Sequence, residues 1–138
     1  MKKLALVALI GVLCSILLAA CGSSSNSGNG GNTSNSGNSC DPTHVTMTAN
    51  TYCEDTITIT KGSTITFIDD KNSGTEHILV IGKNGSAAAE QGAPDFGSNG
   101  KTFQAGDSWT TAAWNTTGTF HVTCTIHPTT MNLTITVQ

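Results

Sequence analysis

The sequence predicts an all-β sandwich, and three observations carry that expectation: short runs alternating apolar and polar residues, many Thr within those runs, and no sustained helical period. Thr56-Ile57-Thr58-Ile59-Thr60 alternates with period two, as does Ser63-Thr64-Ile65-Thr66-Phe67, and Lys61-Gly62 between them is a turn signal. His77-Ile78-Leu79-Val80-Ile81 is an unbroken apolar run with β-branched residues, the pattern of a strand covered on both faces. Residues 101–104 and 108–112 are short strands around Ala105-Gly106-Asp107. In residues 119–124, Phe120, Val122 and Cys124 share one face while His121 and Thr123 share the other. Residues 132–138 turn Leu133, Ile135 and Val137 inward, and residues 44–49 supply a first strand. The Gly-, Ala- and Ser-rich stretch 82–100 reads as a long loop with a short helix around Ala87 to Glu90. Trp109 and Trp114 are expected in core or rim packing.

The chain of 138 residues divides into three parts. Lys2 and Lys3 precede an apolar stretch, 4–18, that is interrupted only by Gly11 and Ser15 and is short for a membrane span. Leu18-Ala19-Ala20-Cys21 looks like the lipobox of bacterial lipoproteins, in which the cysteine is acylated and becomes the new N-terminus. Residues 1–20 are therefore expected to be a lipoprotein signal peptide, the alternative being an ordinary secretory peptide cut near Ala20. An anchor at Cys21 implies a bacterial membrane facing an extracytoplasmic compartment, where disulfides persist. After Cys21, residues 22–39 contain only Gly, Ser, Asn and Thr, a composition that cannot build a core and predicts a disordered tether. Such a coil reaches about 24 Å, from ~5–6 Å × √n. The folded domain is then 40–138.

In that domain Lys61, Lys71, Lys83 and Lys101 face all nine acids of the chain, a net charge of −5. Together with the absence of Arg, this argues against a nucleic-acid partner and against bidentate phosphate clamps. The acids are scattered, as on a solvated surface. Nothing resembles a nucleophile turn, and no oxyanion-loop signal accompanies Cys124 and His127, so no enzymatic activity is expected.

Of five cysteines, Cys14 leaves with the signal peptide and Cys21 takes lipid, which leaves Cys40, Cys53 and Cys124. The simplest partition bridges Cys40 with Cys53, closing a short loop that contributes ~3 kcal/mol in the chain-entropy account. Cys124 is then a lone thiol. A lone cysteine in a β-core is ordinarily a small hydrophobe. Here His127 follows three residues later and Met131 seven residues later, on a loop between two strands. Thiolate, imidazole and thioether together suit copper in an electron-transfer site, where a geometry between the preferences of Cu(I) and Cu(II) limits rearrangement. A second imidazole is needed, and His77, opening a buried strand after the loop 69–76, is the best placed to face that loop. His44 and His121 are expected at the surface.

With these residues in view, 40–138 resembles the cupredoxins, the plastocyanin-like blue copper proteins. Ile57-Thr-Ile-Thr-Lys-Gly-Ser-Thr-Ile-Thr-Phe67 is similar to the family's second and third strands, and Gly118-Thr-Phe-His-Val-Thr-Cys124 resembles the strand leading into its ligand loop. The resemblance implies an eight-stranded Greek-key β-sandwich and one type 1 copper held by His77, Cys124 and His127, with Met131 axial. It also implies a monomeric carrier of single electrons between redox partners (a cytochrome, an oxidase or a reductase), with the edge of His127 as the electron port. Three residues separate His127 from Met131, between the shorter amicyanin-type and longer plastocyanin-type spacings. Ile78 stands where the family often has an Asn tying the two ligand loops together, so that tie must be made otherwise. No second cysteine lies between Cys124 and His127, which excludes a binuclear copper site. Copper storage or delivery is the alternative function, and a metal-free adhesion sandwich a more distant one.

Overall fold

A computed structural model describes residues 40–138; the signal peptide expected over 1–20, and Cys21 with the tether expected over 22–39, lie outside the described residues. The described residues form nine strands in two sheets and no helix. One sheet has the order β1 (His44–Met47), β3 (Thr66–Asp69), β7 (Ser108–Thr110). The other runs β2 (Thr56–Ile59), β9 (Asn132–Val137), β8 (Gly118–Cys124), β4 (His77–Lys83), with β5 (Ser86–Ala87) and β6 (Lys101–Phe103) both pairing with β4. Pairing is parallel for β1 with β3 and for β2 with β9, and antiparallel elsewhere. Val45, Met47 and Phe67 of the first sheet and Ile57, Val122 and Ile135 of the second meet in one buried cluster. The predicted all-β sandwich is what forms.

Period two explains which side chains enter that core. In β9 the burial alternates strictly, with Leu133, Ile135 and Val137 inside. In β2, Ile57 and Ile59 are buried between exposed threonines. Trp114 is fully buried, its ring 5.3 Å from that of Phe120. Trp109 is half-buried at the rim, between Phe96 and the Lys101 ammonium.

Three local expectations differ from the structure. The turn expected at Lys61-Gly62 forms, but the strand expected over 63–67 starts late, because the chain passes there from one sheet to the other. The Gly62 N–H donates to Trp114 O and the Trp114 N–H to Ser63 O, so residues 63–65 cross between the sheets and β3 begins only at Thr66. The short helix around Ala87 to Glu90 is absent. Asn84 (φ 51°) and Gly85 (φ 74°) form a two-residue turn with both φ positive, which pairs β5 back onto β4 and adds the ninth strand. The following segment is then held across β8, where the Glu90 carboxylate accepts from the His121 N–H and pairs with His121 Nδ1, both at 2.8 Å. That contact leaves His121 half-buried rather than on the open surface. Thr123 is buried too, because Gly85 of the new hairpin covers it.

Cys40 and Cys53 are bridged, with Cα atoms 5.9 Å apart. The Cys53 N–H donates to Thr46 O, so the bridge fastens residue 40 to β1.

Candidate metal centre

Strand register brings three of the four predicted ligands to one face. Leu79 of β4 lies opposite Cys124, the last residue of β8, and His77 shares the face of Leu79 two residues earlier. On the other side of β8, the ladder pairs Thr123 with Asn132, and the Cys124 N–H donates to Met131 O at 3.0 Å. That bond extends the register by one step and sets Met131 directly across from Cys124, on its face. His77, Cys124 and Met131 are all fully buried at one end of three adjacent strands.

His127 comes from the loop between β8 and β9. The Met131 N–H donates to His127 O at 3.0 Å, and Asn132 Nδ2 donates to Pro128 O at 2.8 Å. The single Thr123 Oγ1 proton is shared between Met131 O at 3.1 Å and Asn132 Oδ1 at 2.9 Å, so a residue at the start of the loop is tied to its end. The result is a compact turn that returns His127 over Cys124. His127 Nδ1 is 3.7 Å from Cys124 Sγ, and His77 Nδ1 is 3.9 Å from the same sulfur. The two imidazole rings are 5.1 Å apart, and all three donor atoms lie within 4.8 Å of one another.

These separations fit a shared metal ion. An ion about 2.3 Å from a thiolate and about 2.0–2.1 Å from an imidazole nitrogen, as zinc is, separates the two donors by about 3.5–3.8 Å at tetrahedral to trigonal angles, which spans the His127 separation and falls about 0.1 Å short of the His77 one. Chemically the set is soft, with one thiolate, two imidazoles and a buried thioether nearby, which favours copper. His44 is exposed beside Asp41 and His121 is paired with Glu90, so neither joins the cluster.

The tie between ligand segments that an Asn after His77 would make is supplied by backbone: the Thr125 N–H donates to Ile78 O at 2.9 Å. Electrostatics suit a ligand that must be neutral to bind. Burial, chiefly, holds His77 below the ordinary imidazole value, with His127 adding to that while Asp69 and the Thr48 backbone pull upward.

One participant escaped the sequence reading. Asp69, the last residue of β3, is buried with Oδ1 3.6 Å from His77 Nε2. Its carboxyl is raised by burial and by Asp107 and Asp70, against the pull of Ser73 and His77. The signal was present: in 65–69 the inward positions are Ile65, Phe67 and then an acid.

Comparison with known proteins agrees with this geometry. Residues 40–138 match the family described as copper binding proteins, plastocyanin/azurin family. No curated protein matches the chain in sequence. Among solved structures, amicyanin from Paracoccus versutus (Thiobacillus versutus) is similar with a TM-score of 0.52 at 19% identity, over 74% of this chain and 86% of that one. A purple cupredoxin from Nitrosopumilus maritimus has a TM-score of 0.51 at 17% identity, over 69% of this chain and 98% of that one. The Cu-containing nitrite reductase of Thermus scotoductus SA-01 has a TM-score of 0.53 at 21% identity, over 70% of this chain but only 22% of its own. At these identities the likeness speaks for the fold, while the family match spans the whole described domain. The chain belongs to the plastocyanin/azurin family of copper binding proteins, and a type 1 copper is its cofactor.

Proposed function

We propose that this chain is an extracytoplasmic electron carrier, anchored to a bacterial membrane by lipid on Cys21, whose single copper is held by His77, Cys124 and His127 with Met131 as axial ligand. Family membership already makes it a copper-binding electron-transfer protein; the ligand set, the anchor and the compartment are the proposal. The observation that carries the ligand set is the convergence of one thiolate and two imidazole donors within 4.8 Å at the end of a rigid sheet.

Bound copper supplies a one-electron couple. The chain's part is to present the donors without rearrangement. Cys124 is fixed by the β4–β8 ladder and His77 by the β4–β6 ladder opposite Phe103, and both lie wholly out of water. His127 sits on the loop, half-buried, beside Ile126, whose side chain is 43% exposed. An electron leaving through His127 therefore reaches a partner seated on this apolar rim, a redox protein such as a cytochrome, an oxidase or a reductase. Such contacts are small and short-lived. The anchor and the low-complexity stretch 22–39 keep a monomeric domain near membrane-bound partners, as their composition suggests.

The test is the visible and electron paramagnetic resonance spectrum of the oxidised protein. Intense thiolate-to-copper charge transfer with narrow copper hyperfine splitting is expected, and Cys124→Ser abolishes it. A colourless protein with stoichiometric Cu(II) would sink the assignment and favour storage or delivery. Copper retained in His77→Ala but lost in His121→Ala would replace the ligand set. For the anchor, Cys21→Ser is expected to release the protein from the membrane fraction.

A further inference from the structure

His77 has two faces, and only one is used by the centre described above. Nδ1 points toward Cys124 Sγ, while Nε2 is buried without a completed hydrogen bond among the described residues, the Thr48 backbone carbonyl and the Asp69 carboxylate being the acceptors that act on the ring. Opposite Nε2, both carboxylate oxygens of Asp69 are likewise buried without a completed hydrogen bond, and the buried Ser73 hydroxyl is the other donor beside them. Leaving such groups unpaired is costly, most of all for a charge. The separation of 3.6 Å is about 0.7 Å beyond an ordinary N–H···O hydrogen bond. Asp69 is rigidly mounted. Its N–H donates to Asp107 O, its carbonyl accepts from the Gly106 N–H, and it lies opposite Met47 in the β1–β3 ladder. Its side chain therefore has few other places to go.

We infer that Asp69 is a positioning residue for the copper centre: its carboxylate accepts the Nε2–H of His77, fixes the tautomer that leaves the Nδ1 lone pair facing Cys124, and places a negative charge behind that ligand. The inference rests on the reading of His77 as a copper ligand. Two consequences follow from the chemistry. A carboxylate behind a ligating imidazole orients the ring and raises its basicity, and losing such a partner typically weakens metal binding by about 10–100-fold. A fixed negative charge also favours the oxidised, more positive centre, so removing it raises the reduction potential. For a one-electron couple, each tenfold of lost preference is a rise of about 59 mV.

The experiment uses the full chain loaded with copper, in two variants. Asp69→Asn keeps the shape and an acceptor oxygen but removes the charge, whereas Asp69→Leu removes both. In the reduced, diamagnetic protein, the His77 Nε2–H resonance is expected to move upfield in Asp69→Asn as its acceptor weakens, and the reduction potential to rise. Asp69→Leu is expected to bind copper about 10–100-fold less tightly. A purely structural role predicts none of the changes in Asp69→Asn, because that side chain fills the same space. An unchanged Nε2–H resonance together with an unchanged potential in Asp69→Asn overturns the inference, whether or not Asp69→Leu folds. A blue spectrum surviving His77→Ala overturns the ligand reading instead, so the two failures are told apart.

Discussion

Gly85 lies so close to Pro128 that a Cβ built on it stands 2.5 Å from the proline Cβ. The contact joins the β4–β5 hairpin to the loop that carries His127, one residue before Pro128. Hydrogen bonds reinforce it, since the Gly85 N–H donates to Thr123 Oγ1 and the Asn84 N–H to Asn132 Oδ1. The hairpin is thus part of the frame that holds the ligand loop. Gly85→Ala should cost about 1–2 kcal/mol for a side chain at positive φ, and the displaced Pro128 should shift the charge-transfer band and the copper hyperfine splitting. Gly62→Ala is the control, because Gly62 has φ +89° with nothing within 4 Å of its added Cβ. It should show similar backbone strain and an unaltered spectrum. Matching spectra for the two variants would show that the hairpin does not support the loop.

Much of the fold was legible because period-two alternation identifies a half-buried strand. β2, β8 and β9 lie within a residue or so of where Ile57, Phe120 and Leu133 set the phase. Alternation does not say which sheet a strand joins. Residues 63–65 alternate as well as 66–67 do, yet they cross between sheets, because Trp114 and Thr111 capture their backbone groups. The missed hairpin had a plain local signal in Asn84-Gly85, masked by the small residues that follow. At the centre, Cys124 and His127 could be read from spacing. The pairing of Asp69 with His77 could not, because it depends on β3 of one sheet ending beside the start of β4 in the other.

The Cys40–Cys53 bridge spans 13 residues of sequence and fastens the N-terminal end of the described domain to β1. Replacing both cysteines with Ser should lower the unfolding free energy by ~3 kcal/mol in the chain-entropy account. Chemical denaturation of the copper-free forms measures this as a lower midpoint, with a slope no smaller than before because the unfolded chain without its bridge exposes at least as much surface. A loss below about 1 kcal/mol would mean that β1 pairing closes the loop without the bridge.

Thr43 holds the Asp41 side chain in its carboxylate form. Thr43 Oγ1 donates to its Oδ1 at 2.6 Å and the Thr43 N–H at 2.7 Å, and with His44 nearby these lower its carboxyl to about 2. The folded value lies below the ordinary one of 3.8, so this acid favours the folded state above that value. That contribution disappears as the pH falls through about 2. NMR titration of the Asp41 carboxyl should give the low value, and Thr43→Val should raise it by removing the hydroxyl donor. An equal titration in both proteins would exclude the Thr43 hydroxyl as the cause.

Met131 stands across the β8–β9 ladder from Cys124, fully buried, its carbonyl accepting the Cys124 N–H at 3.0 Å. Its place on the face of the thiolate is set by register and does not depend on a metal, so two roles have to be separated. As core packing, Met131→Leu is a volume-conserving exchange that costs less than about 1.5 kcal/mol and leaves the copper centre untouched. As a weak axial ligand, Met131 donates to the metal, and its loss should spare the thiolate colour while raising the reduction potential. The expected outcome is retained charge transfer, a changed hyperfine pattern and a higher potential, measured by voltammetry alongside the thermal midpoint. A changed midpoint with an unchanged potential would assign Met131 to the core and leave copper with three ligands from this chain. Loss of colour would instead show that the thioether is needed to hold the metal, which a weak axial contact is not.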